Sequence, residues 1–225
     1  MEKSIQRSKQ YQELQIHLAE GLKKVLNHEP KGNLVIHSLI KSIDYAFQKQ
    51  FKLMSDSEVE GALQGVLLVF KYINDKDIFV STLQKSIARR LLNLASVSEQ
   101  QEKQLVDLLR VEMGGVYTSK LDKMFQDLQV QRQVQSEYTG QKEQGLLEVK
   151  LLTQGIWPIE TKIQCKLPPQ LRDMLSHYDA FYQNKFHSRK ITWVPELGLA
   201  DLRFNISPQR KKELLVSTCQ MLILL

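Results

Sequence analysis

Histidines, cysteines and paired acidic residues are the side chains of this 225-residue chain that could bind a metal ion or catalyse a reaction. The five histidines occur in no His-x-x-x-His or His-Glu-x-x-His spacing, and neither cysteine lies beside a histidine at ligand spacing. The sequence also lacks a Gly-x-Ser-x-Gly elbow, a phosphate loop and a Gly-x-Gly-x-x-Gly turn. We therefore predict that this chain binds no metal or other cofactor and is not an enzyme.

Two charged pairs allow more than one interpretation. Asp75 and Asp77 could form an acid–base pair, but they lie where a helix is predicted to begin, and carboxylates are favourable near the positive end of the helix dipole. We therefore predict that they cap this helix. Arg89 and Arg90 fall inside the same helix beside its apolar face, and we predict a solvated flank whose side-chain stems cover hydrophobic surface.

The positive charge of the chain does not by itself identify a partner. Lys and Arg number 31 against 25 Asp and Glu, a formal net charge of +6, and the basic residues are dispersed. The tightest groups, Arg189-Lys190 and Arg210-Lys211-Lys212, are typical of solvated turns. Nucleic-acid binding would rest on net charge alone, and we predict no nucleic-acid partner.

Cysteine usage and hydropathy indicate the compartment. Cys165 and Cys219 are widely separated and form neither a Cys-x-x-Cys pair nor a disulfide framework, which suits a reducing intracellular environment. The N-terminus has no apolar signal core, and the longest apolar run, at the C-terminal end, is far shorter than the ~20 residues that span a bilayer. We predict a cytoplasmic or nuclear protein with no membrane contact.

Apolar residues recur at steps of three and four in the first part of the chain, which predicts amphipathic helices. Pro30 and Gly32 end the first helix, and Asn74 or Asp75 can cap the fourth. Five or six such helices joined by short loops are typical of a helical bundle. The four apolar stripes are Tyr11, Leu14, Leu18, Leu22 and Val25; Leu39, Ile43, Phe47 and Phe51; Val59, Leu63, Val66 or Leu67, and Phe70; and Phe79, Leu83, Ile87, Leu91 and Leu94.

Capping signals bound the later helices. The stretch SDSEVE opens the third helix, and the fifth begins with a capping box formed by either Ser96 with Glu99 or Ser98 with Gln101. Gly114-Gly115 predicts a left-handed exit from the fifth helix. The sixth helix is predicted to start at Thr118 or Ser119 and to bury four apolar side chains, Leu121, Met124, Phe125 and Leu128.

The pattern changes beyond about residue 130. The polar stretch 131–145 is typical of a linker or of a frayed helix end. Apolar and polar residues then alternate, which predicts short strands in LLEVKLL, TKIQCKLP, KITWV and LADLRFNI, with a Gly155-Ile156-Trp157-Pro158 turn between the first two. A helix is predicted to follow Pro168-Pro169, so this part of the chain is of mixed α+β class.

Ordered sequence blocks carry a resemblance to a known family. Between Tyr72 and Val130 the chain contains DKDIF, ARRLL, YTSKL and MFQD, and LLTQGIWP, LPPQL, FYQNKFHSRKITW and VSTCQMLILL follow. Roughly residues 34–225 thus resemble the cullin homology region of cullins, the scaffolds of multisubunit ubiquitin ligases. The resemblance implies a four-helix-bundle region over 34–130 and an α/β domain over 146–225. From the apolar spacing and the polar stretch we add an N-terminal helix over 1–33, as the end of a helical-repeat or bundle region, and a linker over 131–145.

The resemblance implies a non-catalytic scaffold subunit of a cullin-RING ubiquitin ligase, acting in ubiquitin-dependent protein degradation. In cullins the N-terminal strand of the RING subunit joins the α/β sheet, a case of strand addition. The RING subunit is then the direct partner, a ubiquitin-conjugating enzyme an indirect one, and zinc is expected only in the RING partner. The residues predicted to bind the RING subunit are Leu147, Val149, Leu151, Ile191 and Trp193.

Some features of the family pattern are absent, and two other functions stay open. Met113 stands where the family often has Cys, and neither the upstream helical repeats nor the downstream winged-helix domains with the modifier-acceptor lysine are recognisable. We expect a helix to begin at Ser217, with Met221–Leu225 as the start of a core helix cut short. The alternatives are a cullin-like subunit of the anaphase-promoting complex and a free-standing helical adaptor that no longer assembles a ligase.

Overall fold

The computed structural model describes residues 2–28, 31–92, 98–139, 147–159, 165–207 and 210–225. These residues form eight α-helices, two 3-10 helices and one antiparallel pair of strands, so the predicted order of an α region followed by an α+β region is confirmed. The α-helices are α1 (Glu2–Leu26), α2 (Lys31–Gln48), α3 (Asp56–Tyr72), α4 (Lys76–Leu92), α5 (Glu99–Met113), α6 (Gly115–Thr139), α7 (Pro169–Lys185) and α8 (Thr218–Leu224). The strands are β1 (Leu199–Ser207) and β2 (Arg210–Ser217), and the 3-10 helices are Gln50–Lys52 and Pro195–Leu197.

The chain divides into two compact units. The first comprises Met1–Gln131 and Lys150–Pro158, and the second comprises Arg132–Val149 and Ile159–Leu225. Helix α6 contributes residues to both units. The domain boundaries expected from the sequence stay predictions. Among the described residues, no helix combines the length and the apolar content needed to cross a bilayer.

Local capping signals place the starts of three helices. The Ser55 N–H donates to the Glu58 carboxylate at 2.8 Å, which forms the capping interaction predicted for α3. The Ser98 hydroxyl accepts a hydrogen bond from the Gln101 N–H at 3.4 Å, so Ser98 caps α5. Asp75 directly precedes α4 and Asp77 lies in its first turn, as expected for carboxylates at the positive end of a helix.

The junction between α5 and α6 differs from the prediction. Gly114 has a positive φ of 88°, but its ψ of 159° is extended and not left-handed helical. This turn lets α6 begin at Gly115, so neither Thr118 nor Ser119 is its cap. Thr118 is instead fully buried in the first turn of α6, where its hydroxyl oxygen lies 3.5 Å from the carbonyl oxygen of Gly115.

Apolar stripes from α2 to α6 form the core of the first unit. The stripe of α2 continues into the following 3-10 helix, which places Phe51 in the core, and α3 buries Leu67 rather than Val66. The side chains predicted for α4 and α6 are buried too, apart from Leu94, which lies outside the described residues. These residues confirm the predicted helical bundle.

The stripe of α1 has a different environment. Leu14 is 62% exposed, Leu18 61% and Val25 71%, although their spacing is that of a core-facing helix. The described residues supply no surface that covers these three side chains. The periodicity of these residues therefore predicts the helix correctly and the burial of its apolar stripe incorrectly. Periodicity carries no information about which other element, if any, packs against that stripe.

A buried ionic cluster joins three helices of the first unit. Arg90 on α4 is 0% exposed, and its guanidinium donates to the Glu102 carboxylate on α5 at 2.5 and 2.7 Å. It also pairs with Asp44 on α2, whose carboxylate accepts a hydrogen bond from the Ser86 hydroxyl at 2.5 Å. The prediction of a solvated flank is therefore wrong for Arg90. A guanidinium can be buried here because two carboxylates satisfy its donors.

The cluster is neutral as a whole. Arg89, whose side chain is 64% exposed, pairs with Asp44 at 2.8 Å, so two cations face the carboxylates of Asp44 and Glu102. Burial acts to lower the pKa of Arg90, but the hydrogen bonds and charges of Glu102 and Asp44 raise that pKa above its usual value. Arg90 is therefore a permanent cation, and the fold depends on both carboxylates staying in place.

A second buried carboxylate holds the segment 150–158 within the first unit. Asp127 on α6 accepts hydrogen bonds from the backbone N–H and the hydroxyl of Thr153, both at 2.8 Å, and from the Trp157 indole N–H at 2.9 Å. The predicted turn is present here, with Gly155 at a φ of 78° and Trp157 buried. Gln84 adds a 2.8 Å hydrogen bond to the Ile156 carbonyl.

Aromatic rings form the core of the second unit. Tyr178 on α7 is fully buried, and its ring centroid lies 4.8 Å from that of Tyr138 on α6 and 5.7 Å from that of Trp193. Phe181 and Tyr182 complete the group. Residues 131–139, a possible linker by composition, are part of α6, because Val134 and Tyr138 give this polar stretch a buried face.

The strand predictions are only partly correct. LADLRFNI lies in β1 as expected, but 147–152 and 190–194 form no strand, and neither do 165–168; residues 161–164 of TKIQCKLP lie outside the described residues. The partner of β1 is β2, which contains Arg210-Lys211-Lys212, so the interpretation of this group as a solvated turn is wrong. An extended segment that packs on a helix shows the same alternation of apolar and polar residues as a strand. The alternation also does not identify which strand pairs with β1.

Helix α8 begins where the sequence predicts. The Ser217 hydroxyl accepts a hydrogen bond from the Gln220 N–H at 3.2 Å, and the Gln220 side chain accepts one from the Ser217 N–H at 2.9 Å. Helix α7 likewise begins at Pro169 after Pro168, in agreement with the sequence.

We predict that Arg90→Met lowers the free energy of unfolding by about 3–5 kcal/mol, because it leaves two buried carboxylates without their cation. Urea denaturation followed by circular dichroism measures this loss. Arg89→Met is the matched control, since it removes an exposed partner of Asp44, and it should cost less than about 1 kcal/mol. Similar losses in the two variants would contradict the role given to Arg90.

We predict that Tyr178→Phe leaves stability at neutral pH unchanged or raises it by about 1 kcal/mol. Within the described residues the buried Tyr178 hydroxyl has no hydrogen-bond partner, and Phe removes that polar group. Tyr117→Phe, at a position that is 52% exposed, is the control and should have no effect. A clear loss of stability in Tyr178→Phe would show that the hydroxyl makes a stabilising bond.

We also predict how the stability of Tyr178→Phe compares with that of the native chain at alkaline pH. Burial, with the nearby Tyr182 and Tyr138, raises the pKa of Tyr178 in the folded state, whereas the unfolded chain releases this proton near pH ~10. The stability contributed by the protonated hydroxyl is present below ~10 and is lost as the pH rises further. Urea denaturation above pH ~10 should therefore show a growing advantage of Tyr178→Phe over the native chain.

Candidate partner-binding site

The five residues predicted to bind a partner lie on two segments without regular secondary structure. Val149 is buried, and Leu147, Leu151, Ile191 and Trp193 are half-buried. Leu151 belongs to the first unit, whereas the other four residues belong to the second. The five predicted residues are therefore distributed over both units.

A side-chain amide satisfies the backbone of the first segment. The Gln135 amide nitrogen donates to the Leu147 carbonyl at 3.1 Å, and its oxygen accepts from the Val149 N–H at 3.2 Å. In an extended chain, the backbone groups of residues two apart point to the same side. Gln135 therefore occupies the side of the segment to which the Leu147 carbonyl and the Val149 N–H both point. This side of the segment is consequently occupied by α6.

The opposite side of that segment carries the backbone of Glu148. Backbone groups of successive residues in an extended chain point to opposite sides. Among the described residues, none makes a hydrogen bond with the N–H or C=O of Glu148, whose side chain is exposed. Glu148 is therefore the residue of this segment whose backbone groups α6 does not use, and no sequence pattern distinguishes it from its neighbours.

The second segment is held by helix α7. The Trp193 indole N–H lies 3.1 and 3.2 Å from the two oxygens of the Asp179 carboxylate, and the Trp193 ring meets Tyr178 edge to face. The neighbouring Arg189 guanidinium stacks over the Phe186 ring at 4.7 Å. Trp193 thus has a structural role in the aromatic core, and Ile191 lies beside it at intermediate exposure.

The β1–β2 hairpin provides further backbone edges that the sequence did not predict as a pair. Leu199 lies opposite Ser217 and Arg203 opposite Glu213, and this second pair forms an exposed ion pair at 3.0 Å. In the described chain no third strand joins the sheet, so each strand has one outer edge without a strand partner among the described residues. The short apolar run Leu214-Leu215-Val216 after Pro208 is the sequence signal that could have identified β2.

The described residues contain no arrangement that would support catalysis through a metal ion. No group of three or more His, Cys, Asp or Glu side chains lies together within the residues that the structure describes. Asp75 and Asp77 are both exposed at the start of α4, consistent with capping.

Comparison with known proteins covers almost the whole chain. Residues 1–135 match the family model of the cullin alpha solenoid domain, and residues 151–225 match that of the cullin alpha+beta domain. The chain is 31% identical to Cullin-4A of Homo sapiens over 214 residues, which are 92% of this chain and 28% of that protein.

Two further relatives agree. Cullin-3 of Schizosaccharomyces pombe is 33% identical over 192 residues, with 81% of this chain and 24% of that protein covered. Cullin-3A of Arabidopsis thaliana is 31% identical over 187 residues, with 81% and 26% covered. The chain spans about a quarter of the length of the curated relatives that it matches. On the evidence of both family models and of these relatives, the chain belongs to the cullin family.

Proposed function

We propose that this chain acts as a non-catalytic scaffold in a cullin-RING ubiquitin ligase, in ubiquitin-dependent protein degradation in the cytoplasm or nucleus. Cullins are scaffold proteins and not catalysts, and family membership supports the same role here. The neutral, buried ionic cluster around Arg90 supports this role physically, because it connects α2, α4 and α5. The transfer chemistry would then belong to the partners.

We further propose that a RING subunit binds by strand addition to the second unit. The observation that carries this proposal is the backbone of Glu148, which makes no hydrogen bond with the described residues, on a segment whose other side is already bonded to Gln135. An added strand would gain main-chain hydrogen bonds there, while the half-buried Leu147 would offer it apolar contact. The open edges of β1 and β2 are a second place for the same mode of binding.

The backbone N–H of Glu148 can be tested as a donor to an added strand. Glu148→Pro removes the N–H at the free side of the segment and should reduce co-purification of a RING subunit at least about tenfold, because one main-chain hydrogen bond and its geometry are lost. Glu148→Ala keeps the backbone N–H and is the matched control, which should bind like the native chain. The measurement is the yield of RING subunit captured on the immobilised chain, with circular dichroism to verify folding.

The design avoids Val149, because proline there would remove a donor that Gln135 already uses and would disturb the fold itself. Equal capture by Glu148→Pro and the native chain, with both folded, would reject Glu148 as the docking edge and direct attention to the hairpin. Failure of the native chain to capture any RING subunit would instead favour a free-standing adaptor.

A further inference from the structure

The two cysteines of the chain lie next to each other in space. Cys165 and Cys219 are 54 residues apart in sequence, yet their sulfur atoms are 3.8 Å apart. Both are free thiols of intermediate exposure. Since the chain contains no other cysteine, each has one possible partner within the molecule.

Local structure holds Cys219 in position. Cys219 is the second residue of α8, and the helix start is fixed by a 2.9 Å hydrogen bond from the Thr218 N–H to the Gly198 carbonyl. A Cβ atom at Gly198 would lie 2.4 Å from the Thr218 hydroxyl oxygen, so only glycine permits this close approach. Cys165 lies shortly before α7, which begins at Pro169.

We propose that Cys165 and Cys219 are a redox modification site that forms a reversible intramolecular disulfide. The sulfur atoms must move from 3.8 Å to the bonding distance of about 2.05 Å, a shift of less than 2 Å. The resulting bond would connect the start of α8 to the segment that precedes α7 and close a loop through the β1–β2 hairpin. This proposal is independent of the ligase function.

The chemistry is balanced with a peroxide as the oxidant. One thiolate attacks a peroxide oxygen and becomes a sulfenic acid, and the first molecule of water leaves. The second thiol then attacks the sulfenic sulfur, the S–S bond forms and a second water leaves. Two thiols thus supply the two electrons that reduce hydrogen peroxide to two molecules of water, and an added dithiol reverses the reaction.

The surroundings of the pair set its reactivity. Burial raises the pKa of the Cys165 thiol, and the neighbouring Cys219 and the charge of Glu196 raise it further. The thiolate is the reactive species, so oxidation should be slow at neutral pH and faster in mildly alkaline solution. A pair with these properties would stay reduced in a reducing compartment and respond to sustained oxidation.

The test uses the 225-residue chain treated with hydrogen peroxide at mildly alkaline pH. Intact-mass spectrometry after thiol alkylation should show loss of both thiols together, with a mass lower by two hydrogen atoms, in a monomeric chain. Dithiothreitol should restore both thiols. Retention of both thiols, or a disulfide between two chains instead of within one, would overturn the proposal.

Single substitutions provide the matched controls. Cys165→Ser and Cys219→Ser each leave one thiol, which should stop at a sulfenic acid or at a mixed disulfide when glutathione is present. The native chain and the single variants are compared in the same series of glutathione redox buffers. In each buffer in which the single variants carry a glutathione adduct, the native chain should form its internal disulfide. A native chain that instead retains two glutathione adducts would show that the pair cannot close, even if it is folded.

Discussion

The pairing of the buried Arg90 guanidinium with the carboxylates of Asp44 and Glu102 is the constraint on which the first unit depends. A charge without water is stable only when its partners are held in good geometry, and here the partners come from α2 and α5 while the cation comes from α4. The Phe47 ring lies 5.0 Å from the guanidinium carbon and covers it from the apolar side. An apolar bundle tolerates small shifts between its helices, whereas this cluster admits one arrangement.

Aromatic packing and close backbone approach organise the second unit. A two-stranded hairpin is marginally stable alone, and β1–β2 is anchored through the contact between Gly198 and the start of α8. The aromatic side chains around Tyr178 then join α6, α7 and the segment that contains Trp193. The strand addition that we propose would use the Glu148 backbone, which makes no hydrogen bond with the described residues, or the outer edges of the hairpin.

The strand errors have one physical origin. Alternation in LLEVKLL reflects the burial of Val149 beside α6, where a glutamine side chain replaces a neighbouring strand. Alternation in KITWV reflects the attachment of Trp193 to α7. The real partner of β1 begins with three charged residues, which resemble a surface turn when considered alone. An alternation with a period of two therefore indicates which side chains are buried. It does not indicate whether the backbone of the segment pairs with another strand.

The sequence by itself determined the features that depend on near neighbours: the helices, the capping signals before α3 and α8, the change of pattern after about residue 130 and the family. Such signals act within a few residues, so they can be read directly from the chain. Tertiary structure alone decided that Arg90 is buried, that Gln135 occupies one side of residues 147–149 and that the two cysteines meet. These contacts join residues 12 to 54 positions apart, and no local pattern specifies them, because their free energy comes from groups that only the folded chain brings together.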